Sequence, residues 1–398
     1  METANFAGRA GRWSAAHWKT AAFGWIAFAV LAVLVGSLVG AKQMKSWAIA
    51  NGESRRAEQI LDRGNFDLPA SESVLVQSRT ATVDQPAFAS AVGGVVQTLS
   101  LQPGVTNIVS PINRPRAGLV SADRHSALVQ FDVRGDAETA KDRIAPILDA
   151  VGRVQAGKPS LIIEEFGQAS AEHQVDRRFE RDLGRAELTS LPLTIVILLV
   201  AFGALVAAGL PVLLAFSAVL AATGLNALAS HVIPTDKQTL SAVILMIGMA
   251  VGIDYSLFYL RREREERQRG RSPHDALLHA ARTSGQAVLI SGATVLIAMA
   301  GMFVSGNALF TTIGLGTMIV VLASMVGSLT VLPALLHRLG DRVEWGRVRL
   351  VRGTPRDGGL WGRVVGAVLR RPWTALILAG GGLFVLALPS FGMHTKLP

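Results

Sequence analysis

The chain has 398 residues, 50% of them hydrophobic and only 17% charged, with a mean hydropathy of +0.39. That is too apolar for an ordinary soluble chain of this length, so a membrane protein is the first expectation. The formal charge of +10 falls mainly in short loops beside apolar runs and in one large loop, which topology explains better than nucleic-acid binding does; the lack of cysteine excludes disulfides, thiolate metal sites and a cysteine nucleophile.

Residues 1–20 carry Arg9, Arg12 and Lys19 and read as a cytoplasmic N-terminus. The first apolar run, 21–41, reaches the roughly 20 residues that a bilayer span needs and lacks a short apolar core followed by a cleavage site, so it reads as a retained anchor. A large polar segment, 42–188, precedes runs at 189–208, 210–231, 239–260, 286–304 and 308–336, a five-helix block over 189–336. A basic linker, 337–372, a last run, 373–391, and a tail, 392–398, complete the order, giving seven expected transmembrane helices.

Cations favour the cytoplasmic side of short loops. Arg261, Arg262, Arg264, Arg267, Arg269 and Arg271 follow the fourth run, and Arg338, Arg342, Arg347, Arg349, Arg352 and Arg356 follow the sixth. The turn after the third run holds only Lys237, and residues 305–307 hold no cation. A cytoplasmic N-terminus satisfies all of these and puts 42–188 outside, since long domains translocate largely regardless of charge.

Within that segment, 73–78 reads as a strand, 86–99 as a helix with Phe88, Val92, Val95 and Leu99 on one face, and 105–109 as extended. A strand at 126–133, helical spacing of Ala140, Ile144, Leu148, Val151 and Gln155, and a β-rich 160–166 repeat the pattern. The order βαββαβ is that of the ferredoxin-like split motif, an α+β porter-like domain, with Gly104 and Gly157 as helix stops. Residues 169–187 are polar and helical and run directly into the second membrane helix. On the other side of the membrane, Ser272, Pro273, Asp275 and Gly285 fit the cap positions of a short helix lying along the membrane, with Ala276, Leu277, Ala280 and Ala281 facing inward.

The chemistry centres on the fourth apolar run. Asp254 lies seven residues before Arg261, about 10 Å at 1.5 Å per residue, and so well inside the hydrocarbon zone. An ionised carboxylate there costs at least ~2.5–3.5 kcal/mol, so Asp254 is expected to face a helix bundle or a water-filled pocket. A carboxyl so placed can take a proton from one side and release it to the other while the two forms favour different packings. Tyr255 adds a hydroxyl that can donate to the acid or relay through water. Tyr259 reads as part of the interfacial aromatic belt, and the Arg/Glu run from Arg261 as a solvated extension. Gly248 and Gly252 form a GxxxG step that lets a partner helix approach. Ser291, Thr294, Thr311, Thr312 and Thr317 are expected to bond their own helix carbonyls, though Ser291, beside Gly292, also offers room for an acid from another helix.

No metal or cofactor is expected. His125, His173 and His231 are scattered, His274 and His279 do not share a helix face, and there is no P-loop run. No nucleophile and base pair can be named, which points away from an enzyme.

The stretch GMAVGIDYSLFYLRREREE, followed by RGRSPHDALLHAARTSGQAVLISGATV, resembles the MMPL transporters of the resistance-nodulation-division superfamily, and the helix and domain order resembles theirs over essentially the whole chain. The resemblance implies a bacterial inner-membrane, proton-driven exporter of lipids or hydrophobic drugs, with Asp254 and Tyr255 as half of the proton relay and Ser291 lining it. It implies a second, similar half as partner, in the same or a separate chain, and is compatible with a homo-oligomer. A sterol-sensing-like lipid-binding module and a protein-translocation accessory of the same superfamily are the alternatives.

Overall fold

A computed structural model describes residues 5–50, 52–64, 69–112, 118–346 and 360–389. Its helices, in chain order, are α1 (Phe6–Ala16), α2 (Trp18–Val39) and α3 (Gly52–Arg63). The sheet domain follows: β1 (Ala70–Gln77), α4 (Pro86–Ser100), β2 (Val105–Val109), β3 (Ser126–Val133), α5 (Ala137–Ala140), α6 (Ala145–Ala156) and β4 (Ile162–Gly167). Then come α7 (Gln168–Phe202), α8 (Leu205–Ala229), α9 (Lys237–Gln268), α10 (Pro273–Ala300), α11 (Ala308–Val326) and α12 (Leu332–Leu339). Residues from Arg347 onward form a separate unit holding α13 (Leu360–Arg370) and α14 (Pro372–Ala387).

Among the described residues six helical segments are long and apolar enough to cross a membrane, beginning with Trp18–Val39 and ending with Ala308–Glu344. The expected seventh span is a 16-residue apolar helix, α14. At 1.5 Å per residue that is about 24 Å, short of a hydrocarbon core of about 30 Å. The expected tail, 392–398, and Arg347, Arg349, Arg352 and Arg356 lie outside the described residues.

The sheet domain has the strand order β2-β3-β1-β4, every neighbour antiparallel. Its core face is set by period-two alternation: Ala70, Val74 and Val76 of β1 and Val129, Phe131 and Val133 of β3 meet Phe88, Val92 and Leu99 of α4 and Ile147 and Val151 of α6. α4 ends at Ser100, four residues before the glycine expected to stop it, because Leu101 takes the cap, whereas Gly157 does cap α6. β4 runs straight into α7, a single helix of 35 residues that reaches from the sheet into the bundle as expected.

In the bundle, α9 is packed by α8, α10 and α11. α2 crosses α8 backbone to backbone, since a Cβ on Gly36 would lie 2.6 Å from the Gly224 carbonyl oxygen, and Trp25 Nε1 donates to Ser217 Oγ at 2.9 Å. Ser272 caps α10 by accepting from the Asp275 N–H, and Ala276, Leu277, Ala280 and Ala281 are buried, both as expected. The predicted stop at Gly285 does not occur. α10 continues to Ala300, and Gly285 instead makes room for neighbours: a Cβ there would lie 3.1 Å from Ala7 Cβ and 3.8 Å from the Tyr259 ring.

Candidate functional site: an acid on the open face of α9

At 100° per residue, α9 sorts its side chains into two faces. Tyr255, Ser256, Tyr259, Glu263 and Glu266 point into the bundle and are all buried. Gly248 and Gly252 share that face; Cβ atoms there would meet Val320 Cγ2 at 2.5 Å and Ala215 Cβ at 2.8 Å. The GxxxG step therefore draws in α8 and α11, not a partner for the acid. Met246, Ala250, Asp254 and Phe258, each one turn apart, form the opposite, exposed face.

Asp254 is thus not inside this bundle. It lines a groove of about 580 Å³ between α7 and α9, with Ser190, Thr194, Phe216, Met249 and Ile253. Being 100° around the helix, Tyr255 is only 6% exposed, and its hydroxyl shares a hydrogen bond with Ser291 of α10. A Cβ on Gly292 would lie 3.4 Å from the Tyr255 oxygen, so that glycine keeps the approach open. Of the three residues expected to act together, the fold brings Tyr255 and Ser291 into contact and sets Asp254 next to them on the open side.

Thr294, Thr311 and Thr312 bond the carbonyls of Ile290, Asn307 and Ala308 at 2.8, 3.1 and 3.0 Å, as expected. Thr317 does not; its hydroxyl and that of Ser324 are buried with no partner. Ser256 donates to the Gly252 carbonyl at 2.9 Å and lies 3.4 Å from Ser328.

Two expectations about the arginine-rich end are corrected. Tyr259 is not interfacial: it is 1% exposed and held between α1 and α10, in a slot that Gly11 and Gly285 leave open. The Arg/Glu run is not merely solvated. Glu266, 1% exposed, is met by Arg262 at 3.1 Å, Arg269 at 2.5 Å and Arg271 at 2.7 Å, with His279 at 3.7 Å. Glu263, 3% exposed, pairs with Arg267, which reaches the exposed Asp341 at 3.0 Å. Among the described residues no group of three or more histidines and carboxylates could hold a metal ion.

A second acidic pair sits in the sheet domain, unmarked by any motif. Glu72 of β1 is 1% exposed and accepts from the N–H groups of Ala169 and Ser170 at 2.7 and 3.4 Å, closing the first turn of α7 from a neighbouring strand. Gly167 is the residue that fits beneath it, since a Cβ there would lie 2.5 Å from the Glu72 carboxyl carbon. Glu165, on the same face of β4, has both carboxyl oxygens buried and unpartnered. Burial, and then the charge of Glu72, push its carboxyl up from 4.5 to about 8. The signal available in the sequence was alternation: Glu72 keeps step with Val74 and Val76, and Glu165 with Ile163.

The family described as the MMPL family matches residues 46–375 of this chain. Similar proteins include a Mycobacterium tuberculosis protein named as the heme uptake protein MmpL11, 31% identical and covering 92% of this chain and 38% of itself. A Mycolicibacterium smegmatis protein named as a mycolic acid-containing lipids exporter, MmpL11, is 29% identical, covering 93% and 40%. Among solved structures, the hedgehog release protein Disp from the water bear Hypsibius dujardini matches with a TM-score of 0.56 at 14% identity, over 84% of this chain and 50% of that one, a likeness of fold alone. The chain spans between 38% and 48% of the length of the first curated relatives it matches.

Proposed function

This chain belongs to the MMPL family of bacterial membrane transport proteins, and on that footing we propose that it is one half of a proton-driven exporter of lipids or other hydrophobic or amphiphilic molecules. The observation that carries the reading is Asp254, an acid exposed on an apolar helix beside the hydrogen-bonded Tyr255 and Ser291. An ionised carboxylate facing acyl chains costs at least ~2.5–3.5 kcal/mol. A second membrane half seated against this face removes that cost and encloses the acid, and relatives of about twice the length have chain enough to supply one. Enclosed, Asp254 accepts a proton from the outer side, loses its charge and permits closer packing; release of the proton restores the charge and the opposite packing. Tyr255 and Ser291 order the hydrogen bonds through which that proton travels.

In this reading the N-terminus and the arginine-rich ends of α9 and α12 face the cytoplasm, a placement that the cation distribution supports. The βαββαβ domain is then a ferredoxin-like porter domain on the outer side. α7 carries motion between them, because it is one unbroken helix whose first turn is fastened to the sheet by Glu72.

The test is transport of radiolabelled lipid by cells producing the full-length protein. A protonophore should abolish export, and Asp254→Asn should reduce it by about 100-fold or more with normal membrane insertion, because the amide keeps the shape and cannot cycle a proton. Export that ignores the gradient, or wild-type flux from the variant, would overturn the reading.

A further inference from the structure

The relay proposed above ends at Tyr255, and a proton has still to travel between there and the arginine-rich surface. On the bundle-facing side of α9 the residue one turn beyond Tyr255 is Tyr259, and one turn beyond that is Glu263. From Tyr255 to Glu263 the axis advances about 12 Å, enough to connect the interior of the bundle with its end.

Three observations set Tyr259 apart from a packing residue. Its hydroxyl is buried with no hydrogen-bond partner, so phenylalanine would fill the same slot without stranding a polar atom. Two glycines on different helices open that slot: a Cβ on Gly11 would lie 3.2 Å from the hydroxyl, and one on Gly285 3.8 Å from the ring. One turn along α1 from Gly11, the Ser14 hydroxyl is likewise 0% exposed and unpartnered, so polar atoms are stranded in one region of an apolar core. Glu263, one turn further along the same face of α9, is the next ionisable side chain on that face. It is itself buried and is linked through Arg267 to the exposed Asp341.

We propose, resting on the proton-relay reading, that Tyr259 and Glu263 are the limb through which protons pass between Tyr255 and the arginine-rich surface. A proton reaching the Tyr259 oxygen, directly from the Tyr255 hydroxyl or over an internal water, is matched by departure of the phenol's own proton towards Glu263. The Glu263 carboxylate takes it up and hands it to water at the surface. Only O–H bonds form and break, and Tyr259 is a neutral phenol before and after each passage. Arg267 is the cation paired with Glu263 and compensates its charge when the carboxylate has given up the proton.

The test follows the protonation of Asp254 itself. Dicyclohexylcarbodiimide couples to protonated carboxyls in apolar surroundings, and its adduct on Asp254 is read by peptide mass spectrometry. The full-length protein is placed in inside-out vesicles, so that the arginine-rich end faces the medium, and the pH of medium or lumen is stepped in turn. In the wild type, labelling should follow both steps. In Tyr259→Phe and in Glu263→Gln the response to the medium step should slow by about tenfold or more, while the response to the lumen step stays as in the wild type. Tyr259→Phe should melt at or above the wild-type temperature. A structural role would disturb both responses or lower the melting temperature, and either result overturns the proposal. Wild-type rates in both variants overturn the limb and leave the relay standing. An Asp254 that responds to neither side in the wild type overturns the relay and the limb together.

Discussion

Glu72 in the sheet domain and Glu266 in the bundle are both 1% exposed, yet their surroundings are unlike. Glu72 rests on two backbone N–H groups at the start of α7, whereas Glu266 is ringed by three arginines and a histidine. Neutral dipoles meet one oxygen of the carboxylate without cancelling its charge, so that charge is felt by the next acid, Glu165. Permanent cations cancel it. A carboxylate resting on neutral dipoles thus raises a neighbouring acid towards neutral pH, as Glu72 does Glu165, whereas at Glu266 the arginines take up the charge locally.

The largest expected effect tests the cationic side of that contrast. Glu266→Ala leaves three arginines around an empty site, and the melting point in detergent should fall, further than for any of the variants below. An unchanged melting point would mean that these pairs are exposed enough to contribute nothing. Next comes the dipolar side: Glu72→Ala removes the acceptor that closes α7 and should cost about 2 kcal/mol. Hydrogen exchange should show lost protection at Ala169 and Ser170 and little change in α9; protection retained at both amides would refute the cap.

A smaller and graded effect is the pH dependence. The folded protein holds a proton on Glu165 up to about pH 8, while the unfolded chain loses it near 4.5. The native state therefore binds more protons across that interval, and stability falls as pH rises from about 4.5 to about 8, by at most about 1.4 kcal/mol per pH unit, then levels off. Glu165→Gln should flatten the curve, and Glu72→Gln should draw its upper end downward by removing the charge that helps hold the proton. A sheet domain equally stable throughout that window would break the contrast. The smallest effect expected is that of Ser324→Ala, which deletes a buried hydroxyl without a partner and should change stability by less than about 1 kcal/mol, towards the stabilising side. A clear loss would assign Ser324 a bond that holds α11.

Much of this molecule was legible in its sequence. Strands at 105–109 and 126–133, the cap at Ser272, the inward face of Ala276, Leu277, Ala280 and Ala281, and the continuity of α7 follow from short-range periodicity and cap chemistry, which act within a few residues. Gly285 did not read correctly, because a glycine that ends a helix and a glycine that admits a neighbouring helix are the same letter; only the presence of Ala7 and Tyr259 decides between them. Tyr259 failed for the same reason. Two residues from an arginine it has the local signature of an interface aromatic, and its burial depends on α1 and α10, far away in sequence.

What the sequence determined by itself, then, is the set of apolar runs, the alternation of the strands and the presence of an acid deep in one run, since each is a property of neighbours along the chain. What the tertiary structure alone decided is which way that acid points. Asp254 lies on the open side of α9 and Tyr255 on the packed side because Gly248 and Gly252 admit α8 and α11 on one face only. The rotation of a helix about its own axis is set by such contacts and leaves no mark in the residues immediately around the one that matters.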